Sequence, residues 1–195
     1  MPSYEAAVSF RSHGVQLLLL MAYSNKIETK RLRLRPPTLD DFEALSRLQQ
    51  DPEMMRYMSD GHVFTPAETR SWLSWNAELR KEAGFSVWAV DLKAEEEFVG
   101  WLGVSEPRWF PDLMPTPEIG WFIDHAYWGQ GLATEGAQAA IQFAFEQLEI
   151  ERLIGIYNAQ NLASGRVMEK IGMTLWKEVP HPKFGFPLRI YEIKR

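Results

Sequence analysis

Apolar residues recur along the chain with two different periods, and each period predicts one kind of element. The segment ETKRLRLRPP alternates leucines with arginines, which predicts a strand that ends at Pro36–Pro37 and keeps its arginines on a solvated face; an anion site is the alternative. Helical spacing predicts helices after Thr38, from Thr65 to about Lys81, from about Leu132 to Leu148, and over NLASGRVMEKIG. Further strands are predicted over GFSVWAVDL, EFVGWLGVS, EIGWFID and RLIGIYN, and near residues 174–179 and 188–193. The order β-α-α-β-β-β-α-β-α-β-β predicts an α+β or mixed α/β domain.

Composition narrows the class of protein. The chain has 195 residues, of which 46% are hydrophobic, so it is long enough for one domain with a packed core. Its net charge of -5 disfavours nucleic-acid binding, which requires a basic surface. The absence of cysteine excludes disulfides, cysteine zinc sites and a thiol nucleophile, and no two histidines have the spacing of metal ligands. A cytoplasmic protein without a metal is therefore expected.

The first residues carry an apolar run from Val15 to Ala22. This run is too short to span a bilayer, so no membrane partner is predicted. It also lacks the basic region and the small-residue cleavage site of a signal peptide. We therefore predict an N-terminal extension over residues 1–25 and a single domain over residues 26–195.

The stretch YWGQGLATEG, residues 127–136, places glycines where a helix is predicted to begin. A dinucleotide fingerprint would need a third glycine where Thr134 stands, and a phosphate-binding P-loop would need Lys and Ser or Thr where Ala137 and Gln138 stand. With these two motifs excluded, what remains is a strand followed by a glycine turn and a helix. Free amides at such a helix start can bind a pyrophosphate, although glycines can equally well serve only to make a tight turn.

Several segments resemble the GNAT acyltransferases. WGQGLA is similar to the family's motif [QR]-x-x-G-x-[GA], with Gly131 and Ala133 matching and Trp128 in place of the usual Gln or Arg. YWGQGLATEGAQAAIQFAF, NLASGRVMEKIGM and ETKRLRLRPPTLDDFEAL resemble the ribosomal-protein N-terminal acetyltransferase branch of that family, in the same order along the chain. The similarity extends from about Ile27 to Lys194.

The resemblance implies a fold and a cofactor site. The fold is a mixed, mostly antiparallel sheet of about seven strands, splayed between its fourth strand (EIGWFID) and its fifth (RLIGIYN), with about four helices. Acyl-CoA would lie in the gap, its pantetheine bound by the backbone of Phe122 and Ile123, and Asn161 and Ser164 would face its thiol end. The pyrophosphate would be held by the turn, with help from the Thr134 hydroxyl; the turn residues are Trp128, Gly129, Gln130, Gly131, Leu132, Ala133 and Thr134.

The chemistry implied is direct attack by an amine on a thioester, which needs positioning and proton transfer but no covalent intermediate. Glu118 at the start of the fourth strand is the candidate base, and a solvated strand-end carboxylate with water as the base is the alternative. Many family members donate a proton from a tyrosine where this chain has Met168, so Ser164 is expected to bond the departing thiolate instead. Of the histidines, only His125 is predicted to lie near the site. Trp101, Trp109 and Trp121 are candidates for an acceptor pocket.

The predicted function is transfer of an acetyl group from acetyl-CoA to a primary amine in a ternary complex. A protein N-terminal α-amine, an aminoglycoside and a small metabolite amine are all open as acceptors. A catalytically silent acyl-CoA-binding sensor or scaffold of the same fold is the alternative. The sequence leaves the oligomeric state open.

Overall fold

The computed structural model describes residues 26–195, so the predicted N-terminal extension lies outside the described residues. The strands are β1 Ile27–Glu28, β2 Leu32–Arg35, β3 Val87–Leu92, β4 Glu97–Ser105, β5 Glu118–Ile123, β6 Arg152–Asn158, β7 Thr174–Pro180 and β8 Pro187–Lys194. The helices are α1 Phe42–Gln49, α2 Pro52–Met55, α3 Pro66–Ala83, α4 Leu132–Gln147 and α5 Leu162–Lys170. No helix within residues 26–195 is both long enough and apolar enough to cross a membrane.

The strands form one sheet in the order β1-β2-β3-β4-β5-β6-β8-β7. Every neighbouring pair is antiparallel except β5 and β6, which are parallel and pair at a single position, Glu118 with Ile154. The sheet is therefore split between the two strands that were predicted as the fourth and fifth. This confirms the predicted mixed, mostly antiparallel sheet that is splayed between these two strands.

Two short elements were not predicted, which is why residues 26–195 contain eight strands and five helices rather than about seven and four. β1 has two residues, too few to carry an alternating pattern. α2 is a single turn that begins with Pro52 and is capped by the Asp51 side chain, which accepts a hydrogen bond from the Glu53 amide.

The boundaries of α3 follow its capping residues. The Thr65 side chain accepts a hydrogen bond from the Glu68 amide, the Glu68 side chain bonds the Thr65 amide in return, and Pro66 occupies the first turn. The helix ends at Gly84, which adopts the left-handed conformation with φ of 82°. The predicted start at Thr65 is thus confirmed.

The small residues of α4 let it lie very close to the sheet. Ala137, Ala140 and Ala144 are fully buried, and a Cβ atom at Gly136 would collide with the Leu102 side chain of β4. Helices α1 and α3 cover the other face with separate apolar clusters. The strand that leads into α4, β5, is consequently fixed from both faces.

The prediction that the arginines of β2 lie on a solvated face is wrong for Arg35. Arg35 lies between two carboxylates, 2.6 Å from Asp41 and 2.7 Å from Asp91, and both of these residues are buried. Arg33 pairs with Glu28 on β1. A buried carboxylate needs a charged partner. Asp91 lies 56 residues from Arg35 in sequence, so the alternating pattern could not indicate that pairing.

Candidate active site

The glycine turn joins β5 to α4 and has an unusual backbone. Gly129 and Gly131 both have positive φ, 76° and 78°, a conformation that glycine adopts without steric cost. Gly131 stands at the N-cap of α4, where no side chain caps the helix. Gln130 is exposed, whereas Leu132 is buried and Ala133 packs against the core. The backbone of the turn therefore faces solvent while its apolar side chains anchor it.

The amides of this turn are free. From Gly129 to Thr134 they donate no hydrogen bond to any residue in the described range, and the first helical bond runs from the Glu135 amide to the Gly131 carbonyl. The Thr134 hydroxyl likewise has no partner within residues 26–195. Unpaired amides at the positive end of a helix form a binding site for an anion.

Arg31 lies beside this turn and holds it in place. Its guanidinium donates to the Gln130 carbonyl at 2.8 Å and to the Glu135 carboxylate at 2.7 Å. Burial raises the pKa of Glu135, but hydrogen bonds from Thr29 and Arg31 outweigh burial and hold that pKa below its ordinary value. A Cβ atom at Gly131 would lie 3.8 Å from the same guanidinium. The Arg31 guanidinium is therefore paired at the turn and does not lie on a solvated strand face.

The free edge of β5 is defined by its pairing with β4. The Asp124 amide donates to the Val99 carbonyl, so in this antiparallel ladder the backbone groups of Phe122 point toward β4 and those of Ile123 point away, toward the cleft. Of the two residues predicted to meet the pantetheine, Ile123 is thus the one with backbone groups available at the split. Its carbonyl accepts a 2.6 Å hydrogen bond from the indole of Trp128, which is exposed.

Asn161 and Ser164 lie together at the start of α5. The Asn161 side chain caps the helix by accepting a hydrogen bond from the Ser164 amide at 3.2 Å. The Ser164 hydroxyl makes no hydrogen bond to any residue from 26 to 195. Met168 is buried and packs against Gly155 of β6, so at this position the side chain contributes to the core.

Glu118 lies at the single position where β5 and β6 pair, next to the split of the sheet. It is half-buried, pairs with Ser105 of β4 and Ile154 of β6, and accepts a hydrogen bond at 3.2 Å from the indole N–H of Trp109. Burial raises the pKa of Glu118 to about 7, opposed by the indole hydrogen bond, and no charged neighbour contributes. A carboxylate in such surroundings can accept a proton near neutral pH.

An aromatic group lies next to Glu118. Trp109, in the loop of residues 106–117, stacks on His181 with ring centroids 5.3 Å apart and an interplanar angle of 26°. His181 belongs to the loop between β7 and β8 and also contacts Phe184 and Phe186. The prediction that His125 is the only histidine near the site is therefore wrong. The two loops are about 70 residues apart in sequence, and no local pattern indicates that they meet.

The other candidate aromatics have structural partners. Trp101 stacks on Phe122 with centroids 5.8 Å apart, and Trp121 packs against the core on the α4 side of the sheet. His125 is exposed and contacts the edge of Trp128. Trp109 is thus the candidate whose polar group reaches the carboxylate. Within residues 26–195, no group of three His, Asp or Glu side chains is arranged to hold a metal ion.

Comparisons with known proteins agree with this geometry. Residues 31–174 match the family described as an acetyltransferase (GNAT) domain. The FsC-acetyl coenzyme A-N(2)-transacetylase of Aspergillus fumigatus is 33% identical over 155 residues, which cover 76% of this chain and 64% of that protein.

Solved structures agree as well. A GNAT-family acetyltransferase from Bacillus anthracis is 30% identical, with a TM-score of 0.72 over 87% of this chain and 98% of its own. RimL, a ribosomal L7/L12 α-N-protein acetyltransferase solved with coenzyme A, shares the fold at 20% identity, with a TM-score of 0.73 over 87% of this chain and 98% of its own. That identity is too low to place the chain in the ribosomal-protein branch. The free turn amides, the split sheet and the family match lead to one conclusion: this chain belongs to the GNAT family of N-acetyltransferases.

Proposed function

We propose that this protein transfers an acetyl group from acetyl-CoA to a primary amine by direct attack in a ternary complex. The observation that carries the proposal is Glu118, a carboxylate with a pKa raised to about 7 at the point where the sheet splits. A base with a pKa near the working pH combines a useful ionised fraction with enough basicity to take a proton. Few strand-end carboxylates in water would have this property.

The chain's own groups fit the donor. The free amides of Gly129–Thr134 and the Arg31 guanidinium suit a pyrophosphate, which carries negative charge and only accepts hydrogen bonds. The backbone of Ile123 lies at the open edge of β5, where an extended amide chain such as pantetheine can pair as an added strand. The indole of Trp128 competes for the Ile123 carbonyl, so it must share or yield that acceptor when pantetheine binds.

The residues around the split have complementary roles in the transfer. The amine nitrogen forms a bond to the thioester carbonyl carbon, and the bond from that carbon to sulfur breaks. Glu118 accepts the proton that the nitrogen loses. The Ser164 hydroxyl, which has no partner within residues 26–195, donates a hydrogen bond to the departing thiolate. Since the thioester is already activated, holding the reactants together supplies a large part of the rate enhancement.

The acceptor is a primary amine, and related enzymes indicate which classes to test. The fungal relative is named for transfer to the N(2) atom of FsC, and RimL for transfer to an α-amine of a ribosomal protein. A small amine and a protein N-terminus are therefore both candidates. The side chain of Trp109 stands at the carboxylate in either case.

The test is release of free thiol from acetyl-CoA with a panel of amines: an aminoglycoside, a diamine, amino-acid amides and short peptides with free N-termini. The chain has no cysteine, so a thiol reagent reports only coenzyme A. Thiol release with at least one amine, with the acetylated product seen by mass spectrometry, supports the proposal. A melting temperature raised by acetyl-CoA with no thiol release from any amine would instead favour a silent acyl-CoA-binding domain.

A further inference from the structure

We propose that Trp109 is a positioning residue for Glu118: its indole N–H holds Oε2 of the carboxylate and leaves Oε1 to take the proton of the amine. The inference rests on the proposed role of Glu118 as the base and adds a second residue to that site. Trp109 is assigned no contact with substrate.

The first observation is the geometry of the pair. The indole nitrogen lies 3.2 Å from Oε2, a hydrogen bond between a side chain of the 106–117 loop and one of β5. Trp109 is 45% exposed, so burial alone does not hold it. Its ring is instead stacked on His181 at 5.3 Å and tilted against Phe110 at 5.5 Å. An indole held on two sides by aromatic rings can keep its N–H aimed at one oxygen.

The second observation is that the ring behind Trp109 is itself fixed. Nδ1 of His181 accepts hydrogen bonds from the amides of Lys183 at 3.1 Å and Phe184 at 3.3 Å. Burial and, to a smaller extent, the charge of Lys183 lower the pKa of His181, and Asp60 opposes them only in part. The ring is therefore neutral at pH 7, with its proton on Nε2, and can keep accepting those amide bonds. The loop of residues 181–186 thus supports Trp109, which supports Glu118.

The third observation concerns charge. Glu118 faces uncharged partners across the sheet, Ser105 on β4 and Ile154 on β6. Arg108 of the adjoining loop pairs with two carboxylates, Glu106 at 2.9 Å and Glu82 of α3 at 3.0 Å, which together outweigh its positive charge. The remaining titratable groups of the two loops are Asp112, His181 and Lys183. Only burial, which raises the pKa of Glu118, and the Trp109 hydrogen bond, which lowers it, contribute to its shift.

The experiment is Trp109→Phe, which removes the N–H and keeps an aromatic ring. Without that hydrogen bond the carboxylate is less stabilised in its charged form, so its pKa should rise by about half to one unit. Below pH 6.5, kcat/KM should fall by about 3- to 10-fold, because the ionised fraction falls in proportion. Above pH 9 the variant should approach wild type within about twofold, and acetyl-CoA affinity should not change.

The matched control is Trp176→Phe, because Trp176 is 42% exposed on β7 and packs against Arg152 and Lys177 instead of a carboxylate. It should leave the pH profile unchanged. A loss of rate in Trp109→Phe that is equal at every pH would overturn the inference, since it would indicate a structural role alone. If that variant fails to fold, 3-benzothienylalanine at position 109 replaces the N–H with sulfur in a ring of the same shape.

A second measurement needs no catalysis. The pH interval over which Glu118 titrates is visible in the pH dependence of stability, measured as the difference in melting temperature between each protein and its Glu118→Gln derivative. In the Trp109→Phe background the interval should move to higher pH. If it moves while no amine is acetylated, the effect of the Trp109 hydrogen bond on Glu118 stands and the proposed function fails. If wild type acetylates amines but the interval does not move, Trp109 lines the site without positioning Glu118, and the inference is wrong.

Discussion

The glycine turn and the Glu118 site lie at opposite ends of the same strand, β5, and they are built in different ways. The turn consists of consecutive residues, and its backbone amides do the binding. The Glu118 site brings together one residue of β5, Trp109 from one loop and His181 from another. A site made of backbone amides can form from consecutive residues and can therefore be recognised as a local sequence motif. A site made of side chains forms only when segments that are distant in sequence come together.

The electrostatics of the two regions differ in the same way. The turn gathers positive potential from free amides and from Arg31, whose charge is partly balanced by Glu135. Among the described residues Glu118 has no charged partner, and burial raises its pKa to about 7. The first arrangement suits binding an anion, and the second suits moving a proton. The two regions should therefore fail separately when altered, one in affinity and the other in turnover.

The largest effect is expected for Glu118→Gln, which keeps the shape of the side chain and removes the proton acceptor. Positioned general-base catalysis contributes about 10²–10⁴-fold, so kcat should fall by that factor while acetyl-CoA affinity stays nearly constant. The amine also titrates, so the informative quantity is the ratio of wild-type to variant rate across pH. That ratio should grow as pH rises through about 7. A ratio near one at every pH would show that Glu118 is not the base and would favour a water molecule in that role.

The turn should respond in the opposite sense, with affinity lost and chemistry kept. Gly131→Ala forces a Cβ into a left-handed backbone, which costs about 1–2 kcal/mol and turns the amides away from the pyrophosphate. With one charge-assisted hydrogen bond also weakened, we expect acetyl-CoA to bind about 10- to 100-fold more weakly, measured by calorimetry.

Gly84→Ala is the matched control for that variant. Gly84 has φ of 82° and a place at the end of α3, and a Cβ atom added there would meet nothing within 4 Å. It should therefore carry the same backbone strain and leave acetyl-CoA affinity unchanged. Equal affinity in both variants and in wild type would mean that the glycine turn serves only the fold.

The same contrast explains how much the sequence could predict. The order of the longer elements, the split of the sheet and the close packing of α4 follow from periodicity, from small residues such as Ala137 and Ala140, and from the family resemblance. The predicted cofactor residues are consecutive or nearly so, but which of Phe122 and Ile123 faces the cleft depends on strand register, and one residue of slip reverses it.

Side-chain partners were beyond the sequence. Glu118 was identified from its place at the start of a strand, but its surroundings come from loops that the sequence gives no reason to pair. Arg31, just before β2, and Arg35, within it, were misassigned for the same reason: they pair with Glu135 and Asp91, which lie more than 50 residues away in sequence. An alternating pattern tells which face a side chain occupies and not what lies opposite.

The smallest expected effect is on stability, and it tests the Glu118 environment without any substrate. The pKa of Glu118 is about 7 in the folded protein against an ordinary 4.5, so the native state holds this proton more tightly than the unfolded state does. The stability from this group is fully present below pH 4.5 and is lost as pH rises through about 7. Glu118→Gln has no such titration. The melting temperature of the variant should therefore rise relative to that of wild type between these two pH values and stay level above them. In a domain of this size, each kcal/mol of difference in stability shifts the melting temperature by about 2–4 °C. Thermal melts of both proteins from pH 4 to pH 9 measure the difference, in which every other titration is shared and cancels. A difference that is constant across this range would mean that Glu118 titrates near its ordinary pKa. The Glu118 site would then be as well solvated as the glycine turn, and the electrostatic contrast between the two regions would be lost.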